Sequence, residues 1–433
     1  MTGIDKFCGM LLGQAAGDAL GSPLDVLSVA TMKRQFGPFG LRTLMRSPKT
    51  NFLAPFSQNT QMMLATADGL LWASAKKIDR TEGLYRGYMR WYYGQTGEEA
   101  RRGQRTWMRR QPHEREFCLA REKFMRTKRG MSSTLAALAS ETPGSLKNKI
   151  NDADDSEALV RSGPIGLIYA GNVRDAFYEA VRAAVLTHTN PVAYQAAAAF
   201  AGIIAGLSGK RTTLPKVLEE VMALLNKSEH TEVLTATLSA AITQANEHPA
   251  GKGTPFDHVD SLHSLGTGKK AEEALAIGVY CVLANDDPLE AILAAAHHDG
   301  KSSVTASVVG AIEGARLGTA FLPDYWMSHL EGAEMIKAVA NQLYKTWEEE
   351  TAAQKPSKQK SLKEEEEQPL EKQEETKSGK KSETKEKKSA EKKAEAKSEK
   401  ESETKSVKKS AKKPAEKTEK KPTKKTEKKS EKK

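Results

Sequence analysis

Cysteine is scarce in this chain: there are three, at positions 8, 118 and 281, odd in number and far apart. That excludes a disulfide framework and gives no zinc-finger spacing. No segment reads as a secretory leader, because the apolar positions of the N-terminal MTGIDKFCGMLLGQAAGDALG are broken by polar ones and preceded by a lone lysine. No apolar run reaches the roughly 20 residues of a membrane span. The most apolar stretch, AYQAAAAFAGIIAGLSG (Ala193–Gly209), is alanine-rich and reads as a buried helix. Runs of β-branched residues alternating at period two are few, which argues against a sheet. The expectation is a cytoplasmic protein with no membrane segment.

The C-terminal part lacks more. Residues 351–433 contain no aromatic residue, and their large aliphatics are Leu362, Leu370 and Val407. With 29 lysines against 18 glutamates, this stretch accounts for the whole formal charge of +11, so residues 1–350 are electrically balanced. Such a composition cannot bury enough apolar surface to offset about 1–2 kcal/mol of backbone entropy per residue. Residues 351–433 therefore read as a disordered basic low-complexity tail, with Pro356, Pro369, Pro414 and Pro422 interrupting any long helix. Its excess lysines imply weak, salt-sensitive contact with polyanions. The interleaved glutamates and the missing aromatics argue against specific nucleic-acid recognition.

Residues 1–350 are rich in helical periodicity. Apolar residues recur at three- and four-residue spacing over Asp5–Ala19, Thr60–Ala75, Val173–Leu186, Ala193–Leu207, Leu214–Leu225, Thr231–Ala245, Ala271–Leu283, Pro288–Ala296 and Val304–Ala315. The spacing predicts one large all-α domain of many helices, dense enough in Ala and Gly for close helix–helix approach. One segment, Trp91–Phe117, combines aromatic residues with Arg101, Arg102, Arg105, Arg109 and Arg110. It reads as a solvated amphipathic stretch whose aromatics cover the core, or as a surface for phosphate or an acidic partner.

Several polar clusters interrupt the helices. They are GDALGSPLD ending at Asp25, SQNT at Ser57–Thr60, NDADDSEALVR at Asn151–Arg161, THTNP at Thr187–Pro191 and HHDGKSSV at His297–Val304. In this order they resemble the ADP-ribosylglycohydrolase family, which includes the dinitrogenase-reductase activating glycohydrolase and the J1 crystallins. The resemblance runs from about residue 4 to 325 and implies an all-α fold of a dozen or more helices. In that family a carboxylate after GDALG, a Thr-Asp-Asp segment and a closing Asp-x-Asp-Thr run surround two magnesium ions.

This sequence departs from that pattern at the ligands. Gln58 and Asn59 stand for the first aspartate pair, Lys301 and Ser303 for the second, and Val304 for the threonine; Asp25 keeps a carboxylate. Hard divalent ions require charged oxygen ligands. An ammonium about 4 Å from such an ion is opposed by roughly 8 kcal/mol at an effective dielectric of about 20. The expectation is therefore no metal cofactor, with Lys301 paired to Asp25 in its place. The glycines that approach ADP-ribose phosphates in the family are replaced by Asp154, Asp155 and Glu157.

The resulting reading is a catalytically degenerate family member, acting as a binding or structural protein, with an ADP-ribose-like ligand implied. The family-site positions are Ser57, Gln58, Asn59, Arg161, Lys301, Ser302 and Ser303. The alternative is an active hydrolase with a rearranged, metal-independent site, for which Asp25 and His188 are the candidate acid–base groups. A weaker third reading is an adaptor tethered to nucleic acid by its basic tail. Asp18 reads as a helix-end anchor. The adjacent His297, His298 and Asp299 make a poor chelate, since neighbouring side chains on a helix diverge.

Overall fold

All nine stretches with helical spacing form helices: Gly3–Gly21, Gln58–Lys76, Val173–Ala184, Pro191–Ser208, Leu214–Leu225, Glu232–Glu247, Ala271–Leu283, Pro288–Ala296 and Ser302–Leu317. The structure is a computed structural model describing residues 3–98, 119–127, 130, 132–209, 212–247 and 253–366. Among these residues there is no β-strand, and three isolated bridges (Ser47–Leu53, Ala54–Leu330 and Asp155–Lys270) pin loops. Contacts divide the chain into a unit Met1–Ala353 and a second, Gln354–Lys433.

Two long helices were not legible from spacing. Arg80–Thr96 is capped by Asp79 and buries Trp91, Tyr92 and Tyr93, so those aromatics do cover the core. The arginines that follow them lie outside the described residues. Ala333–Glu366 runs past Pro356, where interruption was expected. The Ala, Gln, Lys and Glu residues around that proline are strong helix formers, but a proline's missing donor and the clash of its ring with the carbonyl four residues back cost about 3 kcal/mol, so Pro356 is the weak point of this helix. The remainder of the expected tail lies outside the described residues.

The apolar helix Pro191–Ser208 sits in the middle. It packs against Val173–Ala184, Gly163–Ile168, Leu214–Leu225, Ala271–Leu283 and Ser302–Leu317. By length and composition it could cross a membrane, but most of it is buried within this fold. Alanines on several faces let the neighbouring helices approach.

The most extensive helix pairing joins the two segments that carry the polar clusters, Gly3–Gly21 and Ser302–Leu317. They meet along a seam of small residues at four-residue spacing. A Cβ on Gly13 would lie 2.2 Å from the Gly310 carbonyl oxygen, one on Gly17 2.0 Å from that of Ala306, and one on Gly21 2.2 Å from that of Ser302. No real side chain tolerates such distances, so backbone lies on backbone. The seam sets the last turn of the first helix beside the first turn of the other.

On the second helix of this pair, Glu313 is wholly buried. One oxygen accepts from Arg316 Nε at 2.7 Å, and the other has no hydrogen-bond partner. Burial, only partly offset by Arg316, pushes its carboxyl up to about 7. The folded state therefore holds this proton more tightly than the unfolded chain. The associated stability is complete below about pH 4 and is lost as pH rises through about 7. The full shift corresponds to about 3 kcal/mol. Urea unfolding at pH 5 and pH 8 should show Glu313→Gln gaining on the wild type at the higher pH. A pH-independent difference would mean that Arg316 keeps Glu313 ionised.

Candidate functional site

Asp18 lies in the last turn of the opening helix, and its carboxylate is wholly buried. Oδ2 accepts from the Ser57 N–H at 2.9 Å, the Thr60 N–H at 3.1 Å and the Thr60 hydroxyl at 2.7 Å. Oδ1 accepts from the Ser22 hydroxyl at 3.2 Å and from Asn59 Nδ2 at 3.4 Å. Ser57 also caps its own helix by accepting from the Asn59 N–H at 3.1 Å. Asp18 thus satisfies amides at the start of Gln58–Lys76, where a negative charge also suits the helix dipole. Burial raises its carboxyl, and the donors from Thr60 and Ser57 offset part of that rise. The uncharged run Ser57–Thr60 is therefore explained locally: it receives its charge from Asp18.

Asp25 does the same for the helix Ser302–Leu317. Its Oδ1 accepts from the Ser303 N–H and its Oδ2 from the Ser303 hydroxyl, both at 2.8 Å. Burial raises the Asp25 carboxyl, with Ser303 and Lys301 opposing. Asn59 Nδ2 lies 3.4 Å from the Ser303 hydroxyl, which joins the two helix starts into one floor. Above it opens a cleft of about 1420 Å³. Ser57, Gln58, Asn59, Asp25, Lys301 and Ser303 all line it. Gln58 Oε1 is buried there without a hydrogen-bond partner.

This arrangement of an opening helix, a capped polar run and a closing helix around one cleft can be set against known proteins. A family model described as ADP-ribosylglycohydrolase matches residues 1–353. The chain belongs to the ADP-ribosylglycohydrolase family. An uncharacterized protein from Archaeoglobus fulgidus is 25% identical over 342 residues, covering 78% of this chain and 96% of that protein. A solved structure titled an ADP-ribosylglycohydrolase-related protein complex is similar in fold, with a TM-score of 0.55 at 20% identity, covering 80% of this chain and 99% of the solved one.

In this ADP-ribosylglycohydrolase-family member, the other expected site residues lie elsewhere. Ser302 is buried behind the floor, its hydroxyl without a partner. Arg161 is a core brace and does not line the cleft. Its guanidinium donates to the Thr187 hydroxyl, to the Thr134 hydroxyl at 3.4 Å and to the Ala184 carbonyl at 3.4 Å, and it lies 4.7 Å over the Tyr88 ring. His188 is fully buried, with Nε2 3.1 Å from Asp155 Oδ1 and Nδ1 2.9 Å from the Thr187 hydroxyl. Asp25 and His188 are thus each hydrogen-bonded to other groups. His297 and His298 point to different partners, the Leu41 N–H and Leu293 carbonyl for one and the Thr305 hydroxyl for the other.

Sequence reasoning passed over Asp155 as a site residue, reading it only as part of an acidic loop. It lines the cleft with Glu157, and so do Lys49, Lys123 and Lys269. The density of acids in NDADDSE was the available signal. Nothing local marked Asp155 as the one that meets His188.

Lys301 is near Asp25, as expected, but the pair is loose. Its Nζ lies 3.9 Å from Asp25 Oδ2, and its side chain is 47% exposed. Ser303, and not the lysine, holds the carboxylate. Lys301→Met should accordingly cost less than about 1 kcal/mol, as exposed pairs do. Ser303→Ala should cost about 1.5–3 kcal/mol through one lost bond to a charged group. Urea midpoints of the two variants should rank in that order, and the reverse order would restore a dry ion pair.

Proposed function

We propose that this cleft binds an ADP-ribose-like ligand without the paired magnesium ions of its family, and that the protein binds its ligand rather than hydrolysing it. The observation that carries the reading is the state of Asp25. It is the one carboxylate among the floor residues; Ser303 donates to each of its oxygens, and the Lys301 ammonium stands 3.9 Å from Oδ2, where a cation would have to approach. The remaining floor groups are the Gln58 and Asn59 amides, the Ser57 and Ser303 hydroxyls and the Lys301 ammonium. That donor set does not fit two hard divalent cations, which need several anionic oxygens to replace their water. The cleft volume suits a ligand of dinucleotide size. Lys49, Lys123, Lys269 and Lys301 offer ammonium groups for its phosphates.

Calorimetric titration of ADP-ribose into the full chain should give the same affinity in chelator and in excess Mg²⁺. Chromatography of an ADP-ribosylated substrate incubated with the protein should show no released ADP-ribose. Magnesium-dependent binding or turnover would overturn the reading. A second reading, metal-independent hydrolysis, is favoured by one observation: Asp155 at the cleft wall is hydrogen-bonded to the buried His188 behind it. Such a route needs a positioned acid–base pair, and the same chromatography would reveal it as turnover in chelator.

A further inference from the structure

Asp155, Glu157 and His188 offer one ligand atom each, and the three atoms lie within 4.8 Å of one another. Two are carboxylate oxygens on the cleft wall, and the third is a ring nitrogen with no exposed surface. We propose that these three side chains bind one divalent transition-metal ion of the zinc class, with an open position facing the cleft. This inference goes beyond the reading of the floor: it concerns other residues and another class of ion.

The donor set is the first argument. One imidazole nitrogen with two carboxylate oxygens suits zinc, cobalt or manganese, whereas magnesium prefers oxygen alone. Three protein ligands also leave a fourth position for water or a ligand oxygen.

The second argument is the support behind each donor. His188 Nδ1 is 2.9 Å from the Thr187 hydroxyl, whose oxygen also accepts from Arg161. A hydroxyl oxygen has two lone pairs, so it can accept from Nδ1–H as well. An ion would displace the proton that now lies between Nε2 and Asp155 Oδ1, and with Nδ1–H donating to Thr187 the Nε2 lone pair then faces the ion. Asp155 is held by the Ser133 hydroxyl and by the Glu157 N–H at 2.9 Å, and Glu157 Oε2 by the Thr134 N–H at 2.8 Å. Ligands in metal sites are fixed by just such outer hydrogen bonds.

Charge is the third argument. Neither carboxylate has a lysine or arginine partner among the described residues. Lys270 pairs with Asp154 at 3.1 Å, and Arg161 is turned toward Thr187, Thr134 and Ala184. Ligand atoms around a zinc ion sit about 3.5 Å apart, given bonds of about 2.0–2.2 Å. Binding would draw the Glu157 carboxylate inward by rotation of its side chain.

The test uses the full chain, stripped with chelator and titrated with Co²⁺. The expected result is visible d–d absorption of low-symmetry cobalt that saturates at about one equivalent and is bleached by Zn²⁺. Glu157→Gln and His188→Gln should each weaken Co²⁺ binding at least about tenfold. Should the buried His188 variant fail to fold, Glu157→Gln on the cleft wall still decides. The half-buried His329, which does not line the cleft, serves as control, and His329→Gln should leave the signal unchanged. No absorption in the wild type, or a signal that survives Glu157→Gln, would overturn the proposal. Both readouts are independent of Mg²⁺ and of ADP-ribose, so failure here and failure of the floor reading are told apart.

Discussion

Gly17→Val should leave little folded protein. A Cβ at this position meets the Ala306 carbonyl oxygen at 2.0 Å and its carbon at 2.5 Å. The obstacle is helix backbone, which cannot turn aside as a flexible side chain would. Relief requires the two helices to move apart along the whole seam, which also loosens Gly13 from Gly310 and Gly21 from Ser302. Overpacking a core typically costs about 1–3 kcal/mol, and a bulky side chain wedged between two backbones belongs at or above the upper end. A domain with a net stability of about 5–15 kcal/mol would show this as a collapse of its urea midpoint or as insoluble expression. Gly37 supplies the contrast. It has φ +77 and open space around it, so Gly37→Ala meets backbone strain alone. With ψ −172 this is a region open essentially to glycine alone, so the change should cost about 1–3 kcal/mol. If Gly17→Val melts like Gly37→Ala, the close approach of the two helices is wrong.

Asp18→Ala should cost about 3–5 kcal/mol. The substitution removes the acceptor for the Ser57 and Thr60 amides and for the Thr60 and Ser22 hydroxyls at once. Each buried donor left without a partner costs about 1–3 kcal/mol, and solvent can reach some of them through the cleft. Asp18→Asn keeps one acceptor oxygen and turns an amide toward other donors, so it should fall between wild type and Asp18→Ala. Because Asp18 also sets where Gln58 and Asn59 stand, ligand affinity should fall in step with stability. A variant that melts normally but loses its ligand would assign Asp18 to ligand contact and not to anchoring.

What the sequence determined by itself was the helices and their order. Three-and-four spacing is written in consecutive residues, so each amphipathic face is legible without its partner. Val173–Ala184 and Pro288–Ala296 could be placed within a few residues for that reason. The glycines at 9, 13, 17 and 21 were legible as a small-residue stripe, as were those at 310 and 314. That the two stripes face each other is a tertiary fact. The motif positions of the floor, Asp25, Ser57–Asn59 and Lys301–Ser303, came from the resemblance, and the structure brings Asp25, Asn59 and Ser303 within hydrogen-bond reach.

Only the tertiary structure decided how each charge is used. Asp25 meets Ser303 across 278 positions of chain, and His188 meets Asp155 across 33. Arg161 sits beside the acidic loop in sequence, yet packing turns it into the core against Tyr88. Lys301 could be placed opposite Asp25 from the motifs, but not its exposure, which makes the pair weak. The physical reason is the same throughout. A helix follows from local periodicity, whereas the worth of a charge depends on its burial and on the donors that reach it. Those are set by distant segments that meet only when the helices pack.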